Sequence, residues 1–225
     1  MNVIQIARVE TDFPTKFGIP RQSGVVPELT ARVVFEPEFR NPDAVRGLEG
    51  FSHIWLIWGF SQSRRDGWSA TVRPPRLGGN TRMGVFATRA PYRPNPIGLS
   101  AVRLIAVDGA GAHAPTLLIS GADLMDQTPI YDIKPYLPQF DAHPGAVGGF
   151  SDACRARALE VVFPEKWREM IPPEKRAALI GVLASDPRPA YQHDPDRVYG
   201  FAFAGFDVRF RVDGDVLTVC EIVRY

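Results

Sequence analysis

The chain has 225 residues, 45% of them hydrophobic and 23% charged, with a net charge of +1; these are the proportions of a folded protein with a real core and exclude a disordered chain. No run of about 18 apolar residues occurs, which excludes a spanning helix, and the two cysteines, Cys154 and Cys220, support neither a disulfide framework nor a cysteine-based metal site. The opening residues, MNVIQIARVETDF, lack the basic and long apolar regions of a secretory signal, so a cytoplasmic location is expected.

Short apolar runs punctuated by 21 prolines and 20 glycines predict strands at Val3–Arg8, Thr30–Phe35, His53–Phe60, Gly84–Thr88, Leu99–Val107, Thr116–Ser120 and Thr128–Ile133. Their close spacing points to a mainly β fold, a closed or nearly closed barrel over residues 1–140. Pro42–Gly47 reads either as a short helix capped by Asn41 or as a simple turn. Residues 141–152, DAHPGAVGGFSD, read as a linker. Beyond it, Pro164–Ile171 and Pro172–Ala184 read as helices opened by proline with acids in the first turn. Phe201–Val212 and Asp215–Val223 read as a hairpin turning at Asp213-Gly214. The expected plan is a barrel domain followed by a small α+β domain over residues 153–225.

Charge is unevenly placed. Between Arg64 and Arg103 eight arginines face one acid, Asp66, a local net of +7 that leaves −6 for the rest of the chain. Arginine exceeds lysine by 22 to 4, which codon bias alone can produce, but codon bias acts evenly along a chain. The local excess points to an anionic partner, nucleic acid above all.

No glycine-rich phosphate loop, G-x-S-x-G turn or metalloprotease helix is present. The four histidines, at 53, 113, 143 and 193, lie in separate segments, so metal catalysis is not expected. Three blocks concentrate special residues instead. GIPRQSG, residues 18–24, is an ordinary surface loop or a turn that presents Arg21, Gln22 and Ser23. In residues 71–100 the prolines at 91, 94 and 96 stiffen a loop from which Tyr92, Arg93 and Asn95 project. In residues 120–141 the spacing of two places Asp132, Lys134 and Tyr136 on one face of a strand. That face is either a catalytic cluster or a solvated one with a cross-strand ion pair.

These blocks, TVRPPRLGGNTRMGVFATRAPYRPNPIGLS, GIPRQSG, DAVRGLEGFSHIWLIWGF, DQTPIYDIKPYLP and the later DPRPAY, resemble the TrmO (TsaA-like) family from about Ile6 to Tyr191. The resemblance implies a single-sheet β-barrel methyltransferase that uses S-adenosylmethionine, forms a homodimer and places the cofactor near the subunit interface. It implies N6-methylation of threonylcarbamoyl-modified adenosine 37 of threonine tRNA. The cofactor residues it implies are Arg21, Gln22, Ser23, Gly24, Val25, Ser61, Gln62, Arg89, Leu99, Ser120, Gly121, Ala122, Asp123 and Leu124. Ser61-Gln62 stands where many relatives have His-Gln, and Gln127 takes the place of a turn glycine.

Methyl transfer from a sulfonium is an in-line displacement that depends on alignment. The acceptor nitrogen is acylated, so its proton is acidic and its lone pair delocalised. The motif positions make Asp132 the expected base, Lys134 a charge stabiliser, and Tyr136 or Asn95 a clamp on the base edge. A route without a base, in which cationic groups hold the anionic nitrogen, stays open. Arg73, Arg76, Arg82, Arg93 and Arg188 are the expected tRNA-backbone contacts, with Tyr92 or Tyr191 stacking on a loop base. Two other readings compete: a non-enzymatic RNA-binding barrel, and a methyltransferase with another RNA or small-molecule acceptor.

Overall fold

A computed structural model describes residues 2–62, 67–74, 77, 80–154, 158–188, 192 and 194–225. Six antiparallel strands close the barrel: β1 (Ala7–Glu10), β2 (Thr30–Phe35), β3 (His53–Gly59), β6 (Ile97–Asp108), β7 (Thr116–Ser120) and β8 (Pro129–Pro135), in the order β1-β2-β7-β6-β3-β8. Strand alternation explains the interior. In β6, Ser100, Val102 and Leu104 point inward between the outward Leu99 and Arg103, and they meet Val9, Val33, Ile54, Leu56, Leu117, Ile119 and Ile130 from the other strands. β2 and β7 keep their expected bounds; β1 begins at Ala7, later than expected.

Two readings are corrected. Gly84–Thr88 is not a strand: Met83–Gly84 (β5) pairs with Thr71–Val72 (β4) as a short ribbon, and Val85–Ala87 then coils into a 3-10 turn that buries Val85 and exposes Phe86. The supposed strand Phe201–Val212 is two strands, β10 (Tyr199–Phe203) and β11 (Phe206–Asp213), folded back at Ala204 and Gly205, both in the left-handed region with φ 50° and 84°. The residues after Pro42 form a 3-10 turn, with the Asn41 side chain accepting from the Asp43 amide at 3.0 Å.

The C-terminal part is a four-stranded sheet, β10-β11-β12-β9, with β9 (Glu160–Val162) parallel to β12 (Val216–Arg224). Of the helices α1 (Pro138–Asp141), α2 (Glu165–Arg168) and α3 (Pro173–Ala184), the last lays Ala178, Leu179, Val182 and Leu183 into the core of this sheet. That core also receives three residues from the long segment between β1 and β2: Phe13, Val26 and Leu29. Their burial stabilises the contact by roughly 1.5–3 kcal/mol each. Asp12 ties the same segment down, its carboxylate 2.6 Å from Lys175 Nζ and its carbonyl accepting from the Ala204 amide at 2.9 Å. Gly18, at φ 94°, lies flat on the Phe201 ring, where a Cβ would sit 2.4 Å from the ring. No helix among the described residues is long and apolar enough to cross a membrane.

Candidate functional site

Residues 16–19, 21 and 22, on the segment anchored as above, form one wall of a cleft of about 1690 Å³. The opposite wall runs from Gly67 to Tyr92, and Gly148, Phe150, Ser151, Pro187 and Arg188 close one end. Pockets for small ligands occupy about 300–1,000 Å³, so the cleft has room for a cofactor and part of a larger molecule. Its described lining includes Lys16, Arg21, Arg73, Arg82, Arg89 and Arg188, and no aspartate or glutamate.

Just beyond Arg21 and Gln22 of the lining, two loops cross backbone to backbone. Gly24 donates its amide to the Gly121 carbonyl at 2.8 Å, and Gly121 donates to the Leu29 carbonyl at 2.8 Å. Both glycines are left-handed, with φ 77° and 74°, and a Cβ on Gly121 would lie 3.2 Å from the Gly24 backbone. Only glycine meets both demands at position 121. The crossing brings Ser23 and Asp123 together, and the Ser23 backbone bonds the Asp123 carboxylate.

Asp123 is held from inside the barrel. The Trp58 indole lies over Gly98, its cross-strand partner, where any Cβ would strike the ring. Trp58 Nε1 donates to Ser100 Oγ at 3.0 Å, and Ser100 Oγ donates to Asp123 Oδ1 at 2.6 Å. Burial pushes the Asp123 carboxyl above its ordinary 3.8, against the opposing pull of the Ser100 hydroxyl, the local amides and Arg89. Sequence reasoning missed Trp58 and Ser100. A buried serine on the inward face of β6 is the signal that could have found them.

The expected cofactor residues fall into three groups. Arg21, Gln22, Ser23, Gly24, Arg89, Gly121 and Asp123 converge: the Arg89 guanidinium donates to Gln22 Oε1, and Arg21 Nη2 donates to the Arg188 carbonyl at 2.8 Å. Ser120, Ala122 and Leu124 are buried and carry the turn. Val25 and Leu99 are exposed apolar side chains, and Leu99 stands on the outer barrel face. Ser61 is exposed, and Gln62 offers its carbonyl to the Lys16 ammonium.

None of the expected catalytic residues lines the cleft. Asp132 and Lys134 do share the outer face of β8, joined at 2.9 Å and both half-exposed. The Tyr136 ring, just past the strand, packs beside His53 and Trp55 with centroids 6.1 and 5.5 Å away. Asn95 is exposed on the approach to β6, its carbonyl accepting from the Ile97 amide. Cross-strand register sets Leu99, Ile57 and Asp132 in one row on the outside of the barrel. Two strand spacings, about 10 Å, separate the row's ends.

Of the expected RNA contacts, Arg73 and Arg82 are exposed in the cleft and Tyr92 lines it half-buried. Arg93 and Arg188 also make contacts within the chain. Arg93 Nη1 donates to the Val85 and Thr88 carbonyls at 3.1 and 2.6 Å, fastening the 3-10 turn. Arg188 is 8% exposed, and its guanidinium closes on both Asp186 oxygens at 2.9 and 3.0 Å. Arg76 and Tyr191 lie outside the described residues.

Comparison with known proteins agrees with this architecture. The model of the tRNA-methyltransferase O N-terminal domain matches residues 8–142, and that of the TrmO C-terminal domain matches residues 156–225. The tRNA (adenine(37)-N6)-methyltransferase of Escherichia coli K12 is 41% identical over 216 residues, covering 92% of each chain. A putative S-adenosylmethionine-dependent methyltransferase of Pseudomonas aeruginosa, RcsF, is 42% identical over 98% of this chain and 97% of its own. The crystal structure of TrmO from Pseudomonas aeruginosa superposes with a TM-score of 0.80 at 33% identity, covering 99% of this chain and 98% of that one. The chain belongs to the tRNA-methyltransferase O (TrmO) family.

Proposed function

We propose that the protein is a tRNA methyltransferase that uses S-adenosylmethionine to methylate N6 of adenosine 37, with threonylcarbamoyl-modified adenosine in threonine tRNA as its substrate. The observation that carries this reading is the Gly24–Gly121 crossing with the Asp123 carboxylate beside it, adjoining Gln22 and Arg89 of a cationic cleft. The chemistry of these groups fits the cofactor. Close-packed glycine backbone leaves peptide groups at the wall, Asp123 can meet a cation or a hydroxyl, and Arg21 and Arg89 can meet a carboxylate.

When bound, S-adenosylmethionine supplies a methyl group on a sulfonium centre for in-line transfer. The protein's part is mainly to align the partners, which can supply ~7–11 kcal/mol. Asp132 takes the proton from the acidified N6–H, and Lys134, 2.9 Å away, steadies the negative charge involved. Tyr136 or Asn95 holds the base edge.

None of these four residues lines the cleft of its own chain, and Asp132 and Lys134 stand on the outer barrel face, which supports a homodimer. A partner laid on the outer face of β6, β3 and β8 would cover the exposed Ile97 and Leu99 and bring its own loops to Asp132. The direct test is calorimetric titration of S-adenosylmethionine into wild type and Arg89→Ala, followed by a methylated-nucleoside assay on threonine tRNA. Saturable binding lost in the variant, with N6-methyl product from wild type, is the expected result. Binding of RNA with neither cofactor uptake nor product would make the protein an RNA-binding barrel.

A further inference from the structure

Two large, mostly exposed aromatic side chains stand in the cleft wall. Trp68 is 54% exposed and Phe86 71% exposed. Their rings stack nearly parallel, with centroids 6.3 Å apart and planes at 22°. Leaving them in water forgoes burial that stabilises most aromatic side chains.

The pair sits on a fixed frame. The Ser69 amide donates to the Tyr92 carbonyl at 3.1 Å, and the Val85 amide donates to the Ala70 carbonyl at 3.0 Å. The β4–β5 ribbon closes the same stretch. Arg93 locks the turn that carries Phe86, and its guanidinium lies 5.7 Å from that ring's centroid. The surroundings select the occupant. Arg73, Arg82 and Arg89 line the same cleft, and its described lining has no acid to pair with a basic protein. A flat apolar stack among cations matches a molecule with π-faces on a polyanionic backbone.

We propose that Trp68, stacked on Phe86, is the platform that receives one unstacked nucleobase of the RNA substrate. Sequence reading had assigned stacking to Tyr92 or Tyr191. This inference rests on the proposed RNA substrate and adds the subsite that grips the loop.

The test uses the full-length protein and a threonine-tRNA anticodon stem-loop carrying 2-aminopurine at one loop position at a time. Fluorescence at one position should be quenched on binding. Trp68→Leu should abolish that quench and weaken binding by ~10- to 100-fold, with an unchanged dependence on salt. Trp68→Phe should keep most of the affinity, and Phe86→Leu should weaken binding in the same sense. Trp68→Leu and Phe86→Leu proteins that both bind within about twofold of wild type, with the salt dependence intact, would overturn the platform and leave the RNA reading standing. Failure of wild type to bind the stem-loop at all would overturn both. Loss of affinity accompanied by a halved solution mass would assign the aromatic pair to a protein interface and overturn the inference.

Discussion

The two walls of the cleft are built on opposite principles. Residues 11–29 are held from behind, with Phe13, Val26 and Leu29 in the C-terminal core and Asp12 paired to Lys175. The Trp68–Tyr92 wall is braced, among its described residues, mainly by its own turns and ribbon, and it presents Trp68, Phe86, Arg73 and Arg82 outward. The first wall derives its shape from burial, which is insensitive to salt; the second offers charge and ring faces, which matter only when a partner arrives. Under the proposed function the division is sensible. A small cofactor needs a site fixed in advance, and an RNA loop needs a surface to settle on.

The largest break in this comparison should come from Phe13→Ala. Emptying a fully packed phenyl site costs about 3–5 kcal/mol, read as a fall in the denaturation midpoint. Because Phe13 anchors the segment that carries Arg21–Gly24, S-adenosylmethionine affinity should fall as well, although the Phe13 ring packs in the C-terminal core and does not line the cleft. Unchanged affinity in a destabilised but folded variant would show that the loop holds its shape without the C-terminal sheet.

Asp123→Asn should separate stability from binding. The Asp123 carboxyl is raised by burial, so its folded-state value exceeds the unfolded one. Its stabilising share is therefore complete below about pH 4 and is lost as pH rises through the folded value. The amide keeps an acceptor for Ser100 without the buried charge, so the variant should be at least as stable as wild type at pH 7, with the difference closing toward pH 4. S-adenosylmethionine affinity should drop about tenfold or more, the worth of a hydrogen bond to a charged group. A variant that binds as wild type does would remove Asp123 from the site.

Arg73→Ala and Arg82→Ala should do the reverse of Phe13→Ala. Both side chains are exposed and pair with no described acid, so stability should stay within about 0.5 kcal/mol. Each should flatten the slope of log affinity for tRNA against log salt by about one unit. A slope that does not move would place that arginine outside the RNA path.

What the sequence disclosed follows the same division. The barrel strands were legible because one face of each is buried, and Thr30–Phe35 and Thr116–Ser120 stand where alternation puts them. Alternation was also read too coarsely. Phe201 and Phe203 fall on odd positions and Phe206, Val208 and Phe210 on even ones, so the phase shifts at the Ala204-Gly205 turn, and a reading that passes over the shift merges two strands. The convergence of Arg21–Gly24, Arg89, Gly121 and Asp123 was foreseen through family resemblance, since no local period joins three loops. The Trp58–Ser100–Asp123 chain and the Trp68–Phe86 stack depend on tertiary placement of distant segments, and local pattern is silent about both. Anchoring of residues 11–29 in the C-terminal core was equally hidden, because the expected plan gave each part its own core.

The smallest expected effect concerns Gln127, at a position where the family resemblance leads one to expect a turn glycine. The backbone there keeps the glycine's conformation: φ is 60°, in the left-handed region, where its amide donates to the Val9 carbonyl at 2.8 Å. A side chain in that region costs about 1–2 kcal/mol, and a glycine returns about 0.4–1 kcal/mol of that through a freer unfolded chain. Gln127→Gly should therefore stabilise the protein by roughly 0.5 kcal/mol, read as a small upward shift in midpoint at unchanged denaturant slope. The turn leads from Asp123 and Leu124 into β8, so the variant also tests whether its geometry matters to the site. A more stable protein with unaltered S-adenosylmethionine affinity would mean that glutamine merely tolerates the turn. A more stable protein with weaker affinity would mean that the strained turn helps to place Asp123.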